Sequence, residues 1–122
     1  NPDFADLVYV FSGGGGQGDW LINGEAWPAV TPSTLSLDQT AILEVRNLSE
    51  THHPFHLHGH RFEVLSTDGV APPFATWADT IDVGIRSTVR LRLVADNPGD
   101  WLVHCHLLGH EDNGMMGLLS VE

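Results

Sequence analysis

Residues that can bind metals are concentrated near the end of the sequence. Residues 101–116 contain the single cysteine, three of the eight histidines and both methionines. Side chains alternate between the two faces of a β-strand, so an extended backbone here turns His104 and His106 to one face and Cys105 to the other. One strand is therefore predicted to contribute ligands to two different sites.

The cysteine face of this strand has the residue types of a copper site. His110 and Met115 follow Cys105 in a segment that can fold back towards it. In blue copper sites, two histidines and one cysteine surround the metal, and a methionine thioether is a weak axial ligand. Zinc also accepts cysteine and histidine, but it prefers closed tetrahedral sets. Met115 therefore favours copper, and one more histidine is needed.

A second histidine-rich segment, 52–60, can supply that histidine. His56 and His58 share one face of a predicted strand, and His53 precedes them beside Pro54. Together the two segments hold all eight histidines of the chain, whereas histidines that serve only in a core are dispersed. A solvated polar patch is the alternative for the His-x-His pairs, and their recurrence on two strands disfavours it.

These two segments closely resemble the copper motifs of a known family. His53-Pro-Phe-His-Leu-His-Gly-His60 and His104-Cys-His-Leu-Leu-Gly-His-Glu-Asp-Asn-Gly-Met-Met116 are similar to the motifs in the C-terminal cupredoxin domain of multicopper oxidases, the laccase family. The resemblance continues through Trp20-Leu-Ile-Asn-Gly24 and Trp77-Ala-Asp-Thr80 to Glu122. It implies copper as the cofactor and a Greek-key β-sandwich of the cupredoxin type.

The resemblance assigns the metal ligands residue by residue. Four residues match the ligands of a type 1 copper: His53, Cys105, His110 and Met115. Four histidines match ligands of a type 2 and type 3 copper cluster: His56, His58, His104 and His106. In the family this trinuclear cluster lies between two domains, and the other ligands come from an N-terminal cupredoxin domain. The chain is therefore expected to carry half of an oxygen-reducing site.

Four other residues in or near the motifs receive weaker assignments. Glu111 resembles an acid that assists proton delivery during oxygen reduction, and a solvated surface acid is an equal alternative. His52 and His60 match no ligand position, so they are predicted to be exposed or to lie behind the ligands. Asp79 is predicted to hold a loop by hydrogen bonds.

The assignments predict electron transfer. A small-molecule reductant would deliver electrons to the type 1 copper, and Cys105 would pass them to its covalent neighbours His104 and His106. The isolated chain is then an electron-transfer domain. It becomes an oxidoreductase of laccase type, reducing oxygen to water, when the missing N-terminal domain, another chain or a second copy completes the trinuclear site. A structural or zinc-binding cupredoxin is the alternative.

Charge and composition bear on partners and location. The 122 residues include sixteen acids, five arginines and no lysine, giving a formal net charge of -11. This charge repels phosphates, so neither nucleic acid nor an anionic membrane is an expected partner. No apolar run approaches the ~20 residues that span a bilayer. Residues 1–3 do not resemble a signal peptide, so the chain is expected to begin within a longer or processed protein, and the resemblance implies a periplasmic or secreted one.

Short strands separated by turn residues are predicted along the chain, as in an all-β sandwich formed by one domain, 1–122. Outside the histidine segments, strands are predicted at 7–11, 20–22, 34–37, 41–47, 61–65, 80–83, 88–94 and 117–121. The expected core residues of the early strands are Leu35, Leu37, either Ile42 or Leu43, and Val45. Asn47-Leu48-Ser49 matches the N-glycosylation sequon, a short pattern with frequent chance matches.

Overall fold

The computed structural model describes residues 4–13, 20–25, 27–105 and 115–122. Within them the chain is built from eleven strands and contains no helix, which confirms the all-β prediction. The first six strands are β1 (Leu7–Gly13), β2 (Trp20–Ile22), β3 (Ser33–Leu35), β4 (Thr40–Asn47), β5 (His53–Leu57) and β6 (Phe62–Thr67). The other five are β7 (Trp77–Ala78), β8 (Thr80–Val83), β9 (Thr88–Val94), β10 (Gly99–Cys105) and β11 (Met116–Val121).

These strands form two mixed sheets. One has the order β2-β1-β4-β9-β6-β7, and the other has the order β3-β11-β10-β5-β8. The pairs β1/β4 and β3/β11 are parallel, and the other pairs are antiparallel. Across the described residues, a search for a helix long and apolar enough to cross a membrane finds none.

Aromatic side chains connect the two sheets. Phe55 of β5 packs against Tyr9 of β1 and Phe62 of β6, with ring centroids 5.9 and 6.1 Å apart. Phe55 and Phe62 are fully buried, as are Val89 and Leu91 of β9. The apolar faces of the two sheets therefore pack against each other and form one core, as in a β-sandwich.

The strand predictions are largely confirmed, and one core prediction is wrong. Leu35 and Val45 are buried, and of the two alternatives in β4 it is Leu43 that is fully buried. Leu37, which was expected in the core, is 44% exposed. Strand β3 ends at Leu35, and Leu37 lies beyond it, next to Asp38 with its positive φ of 68°. The turn removes Leu37 from the alternating pattern on which that expectation depended.

The strands that carry the two histidine segments are neighbours. β5 and β10 pair antiparallel, with His56 opposite His104 and Phe55 opposite Cys105. Since alternate residues share a face, Phe55 and Cys105 point into the core while His56 and His104 point to the opposite face. This register brings the histidines of two distant segments together.

A tight turn follows β5 within the first histidine segment. Gly59 has a positive φ of 77°, and a Cβ atom at this position would lie 2.6 Å from the ring of Trp101. Glycine is therefore required twice over, by the backbone conformation and by the close approach of the indole ring. The turn at Gly59 therefore packs against Trp101 and sets the direction of the backbone after His58.

Candidate metal centre

The first site lies inside the sandwich, at the ends of two adjacent strands. His53 begins β5 and Cys105 ends β10, and both side chains are fully buried. Nδ1 of His53 lies 3.3 Å from Sγ of Cys105. An imidazole nitrogen and a sulfur atom are thus brought together within the core, where a metal ion could take both as ligands.

Met115 lies next to this pair. The backbone N–H of Cys105 donates a hydrogen bond to the carbonyl oxygen of Met115 at 3.3 Å. Met115 is also fully buried. The structure therefore brings together three of the four residues predicted for the type 1 copper. The fourth, His110, lies outside the described residues, as do His106 and Glu111.

Aromatic rings surround His53. The ring of Trp20 meets it edge to face at a centroid distance of 5.0 Å, and that of Phe11 does so at 5.4 Å. Packing of this kind excludes water and holds the imidazole in one orientation. Imidazole, thiolate and thioether, the donor types that His53, Cys105 and Met115 can supply, fit copper in both of its oxidation states.

The second site lies on the opposite face of the same sheet. The ligand atoms that His56, His58 and His104 can offer to a metal all lie within 4.8 Å of one another. Nε2 of His58 is 2.9 Å from Nε2 of His104. His104 is buried, whereas His56 and His58 are partly exposed. Three of the four histidines predicted for the trinuclear cluster therefore converge.

Neighbouring oxygens fix the tautomer of two of these histidines. Nδ1 of His56 lies 3.0 Å from the carbonyl oxygen of Asp79, and Nδ1 of His104 lies 2.9 Å from that of Cys105. A carbonyl oxygen only accepts hydrogen bonds, so both Nδ1 atoms carry the proton. Both Nε2 atoms consequently carry the lone pair, the form in which an imidazole nitrogen binds a metal, and that of His104 faces Nε2 of His58. Histidine ligands commonly donate their second N–H in this way.

Asp79 and Thr80 support His56 from behind. The hydroxyl of Thr80 donates to the carboxylate of Asp79 at 3.0 Å and accepts from Nδ1 of His56, which is 2.8 Å away. The prediction that Asp79 holds a loop by hydrogen bonds left out this link to His56. No sequence signal points to it, because the contact depends on the pairing of β5 with β8.

The two remaining histidines differ in their environment. His52 is exposed, and its Nδ1 lies 2.7 Å from a carboxylate oxygen of Asp82. His60 is buried, and its ring meets Trp101 edge to face at 5.9 Å. His60 also lies close to His58, with its Nδ1 3.3 Å from the carbonyl oxygen of His58. The outer histidine cluster thus has a buried histidine behind it.

The outer site opens onto a surface cleft of about 720 Å³. Its lining includes His56 and His58, with Trp77, Asp79 and Asp96 around them. The inner site, by contrast, is enclosed by core side chains. The peptide bond between His104 and Cys105 connects the two sites directly.

Comparison with known proteins identifies the family of the chain. The family model described as multicopper oxidase matches residues 1–122. The chain belongs to the multicopper oxidase family. The cofactor of this family is copper, and its structures share the cupredoxin fold found here. The position of the matched region within a longer member of the family stays a prediction.

Individual relatives are much longer than this chain. Multicopper oxidase MmcO of Mycobacterium tuberculosis is 40% identical over 110 residues, which are 90% of this chain and 21% of that protein. Laccase-4 of Trametes villosa is 32% identical over 98% of this chain and 24% of its own length. A multicopper oxidase structure from Pediococcus acidilactici superposes with a TM-score of 0.85 at 31% identity, covering 98% of this chain and 27% of that one. The chain thus spans about a quarter of the length of these relatives.

Proposed function

We propose that this chain is the electron-transfer domain of a laccase-type oxidase. It holds a type 1 copper through His53, Cys105, His110 and Met115. It also provides half of a trinuclear copper site through His56, His58, His104 and His106. When bound, copper supplies reversible one-electron chemistry. The whole protein would take electrons from a small-molecule reductant and reduce oxygen to water.

The observation that carries this proposal is the 3.3 Å separation between His53 Nδ1 and Cys105 Sγ inside the core. Both side chains are anchored on strands and packed on all sides, so they can keep the same arrangement in either oxidation state of a bound metal. The fully buried Met115 adds a soft thioether donor, which copper accepts and zinc does not favour.

The contact between His104 and Cys105 supports a connection between the two sites. These residues are adjacent in β10, and Nδ1 of His104 donates to the carbonyl oxygen of Cys105. A short path of covalent bonds and one hydrogen bond therefore leads from the thiolate to the outer histidines. His106 is assigned the same role on the other side of Cys105, and Glu111 that of a proton donor, by resemblance to the family.

The outer cluster supports the proposal that another domain completes the site. Three histidines form the cluster, two of them, His56 and His58, line an open cleft, and the chain spans about a quarter of the length of its relatives. The missing ligands would come from an N-terminal cupredoxin domain or from a second copy of the chain. Two copies related by a twofold axis would place identical histidine clusters face to face.

Oxygen uptake and molecular mass separate these possibilities. The copper-loaded chain should lose its blue colour when a phenolic reductant is added under nitrogen, and the Cys105→Ser variant should have no blue colour to lose. Completion by a second copy predicts a doubled mass by light scattering with copper, together with oxygen consumption. A monomer with and without copper would exclude self-completion. A blue protein that no reductant bleaches would contradict the electron-transfer role.

The zinc-binding or structural alternative makes the opposite prediction. It predicts a protein that stays colourless when copper is added, because Cys105 would then form no thiolate-to-copper bond. The periplasmic or secreted location implied by the family remains a proposal, to be tested by fractionation of the source cells.

A further inference from the structure

A buried polar network lies behind His53, on the side away from Cys105. The hydroxyl oxygen of Ser49 is 2.7 Å from Nε2 of His53. Ser49 is buried, and so is Asn47 at the end of β4, which is 1% exposed. Neither residue is a metal ligand. Buried polar groups in proteins are hydrogen-bonded. The types of the neighbouring atoms therefore indicate which group in each pair is the donor.

The orientation of the Asn47 side chain is set by backbone carbonyls. Its Nδ2 atom lies 2.8, 3.1 and 3.0 Å from the carbonyl oxygens of Thr51, Val83 and Gly84. Because carbonyls only accept, this end of the amide must be the NH₂ group. Its Oδ1 atom consequently faces Ser49 and accepts from the Ser49 backbone N–H at 2.9 Å.

Two oxygen acceptors compete for the single proton of the Ser49 hydroxyl. Its oxygen is 2.8 Å from Asn47 Oδ1 and 2.9 Å from the carbonyl oxygen of Thr51, and both of these atoms only accept. Whichever of them takes the hydroxyl proton, none remains for His53. The two oxygen contacts therefore favour Nε2–H of His53 as the donor and the Ser49 oxygen as the acceptor, 2.7 Å apart.

We infer that Ser49, held by Asn47, is a positioning residue that keeps the proton of His53 on Nε2. Nδ1 then carries a lone pair directed towards Cys105 Sγ, 3.3 Å away, so His53 itself has no proton to lose when a metal binds. Hydrogen bonds of this kind fix the tautomer of histidine ligands and raise metal affinity. The consequence for copper rests on the proposed function, whereas the tautomer is a property of the metal-free chain.

The same network explains the Asn47-Leu48-Ser49 sequence without glycosylation. Asn47 is almost completely buried, and its Nδ2 faces three carbonyl oxygens at hydrogen-bond distance. A glycan on that nitrogen would replace one of its protons and would have no route to solvent. The sequon match therefore coincides with two residues that organise the histidine behind the metal site.

Removal of the hydroxyl should reverse the tautomer. In Ser49→Ala, an Nε2–H group would be buried without its acceptor, which is unfavourable. A proton on Nδ1 could instead donate to Cys105 Sγ, and this would occupy the lone pair needed by the metal. Ser49→Thr keeps the hydroxyl and should behave as the wild type. Ser120→Ala removes a hydroxyl near the opposite end of the β10–β11 pair and serves as the control.

Long-range ¹H–¹⁵N NMR of the metal-free, ¹⁵N-labelled protein tests the tautomer directly. At about pH 8, where an ordinary histidine is neutral, the wild type, Ser49→Thr and Ser120→Ala should show His53 protonated on Nε2. Ser49→Ala should show it protonated on Nδ1. Protonation on Nδ1 in the wild type would overturn the inference, and so would an unchanged His53 pattern in Ser49→Ala. The wild-type spectrum decides even if Ser49→Ala fails to fold.

Copper affinity tests the functional consequence separately. Ser49→Ala should bind the blue copper about 10–100-fold more weakly, the range typical for loss of a hydrogen bond to a ligating histidine. Ser49→Thr should restore the affinity. Equal affinities in Ser49→Ala and the wild type would overturn the positioning role. A wild type that has the Nε2–H tautomer but forms no blue site would instead contradict the proposed copper assignment alone.

Discussion

Nδ1 of His53 and Sγ of Cys105 lie 3.3 Å apart, although 52 positions separate the two residues along the chain. The pairing of β5 with β10 brings them together, and the burial of both side chains keeps them there. The same pairing brings His56 opposite His104 on the other face of the sheet. A single register thus organises the ligands of both proposed copper sites.

Met115→Leu is predicted to keep the blue absorption and to raise the reduction potential, because loss of a weak thioether ligand stabilises Cu(I) relative to Cu(II). Redox titration monitored at the blue band measures the change. Met116→Leu is the control, since Met116 is the adjacent residue and is only partly buried. Equal potentials in Met115→Leu and the wild type would show that Met115 is not an axial ligand.

Asn47→Ala is predicted to destabilise the metal-free protein by about 1–3 kcal/mol, the cost of leaving a buried polar group unsatisfied. Its amide lies at hydrogen-bond distance from the carbonyl oxygens of Thr51, Val83 and Gly84. Urea unfolding measures the loss. Asn97→Ala, which removes one exposed hydrogen bond to Gly59, is the control and should cost less. Similar losses in the two variants would contradict the role given to the Asn47 network.

Gly59→Ala and Gly69→Ala form a matched pair. Both glycines have a positive φ, 77° and 82°, so either alanine incurs similar backbone strain. A Cβ at Gly59 would also meet the Trp101 ring at 2.6 Å, whereas nothing lies within 4 Å of a Cβ at Gly69. Gly59→Ala should therefore lower the free energy of unfolding by about 1–3 kcal/mol more than Gly69→Ala. Equal losses in urea unfolding would show that the indole moves aside without cost.

His58→Ala is predicted to separate the two metal sites. It removes one of the three outer histidines that the structure describes, so binding of a second copper equivalent should weaken while the blue absorption stays unchanged. Calorimetric titration and visible absorption measure the two effects. His52→Ala is the control because His52 is exposed and pairs with Asp82. Unaltered binding of the second equivalent in His58→Ala would place that metal elsewhere.

The ligands were predicted from the resemblance to the family, and local alternation predicted which of them share a face of the sheet. His104 and Cys105 point in opposite directions because side chains alternate along a strand. The same alternation predicts the buried face of β9, where every second residue is buried. Leu37 was mispredicted because a turn after β3 interrupts the alternation. The role of Asn47 and Ser49 could not be predicted, since their hydrogen bonds depend on the positions of Val83 and His53, which the pairing of β5 with β8 determines.

Visible absorption during titration of the metal-free protein with Cu(II) tests the central claim most directly. An intense blue thiolate-to-copper band is predicted to rise until about one equivalent has been added. The same band should be absent in Cys105→Ser. A folded wild-type protein that remains colourless throughout the titration would contradict the assignment of His53, Cys105 and Met115 to a type 1 copper site.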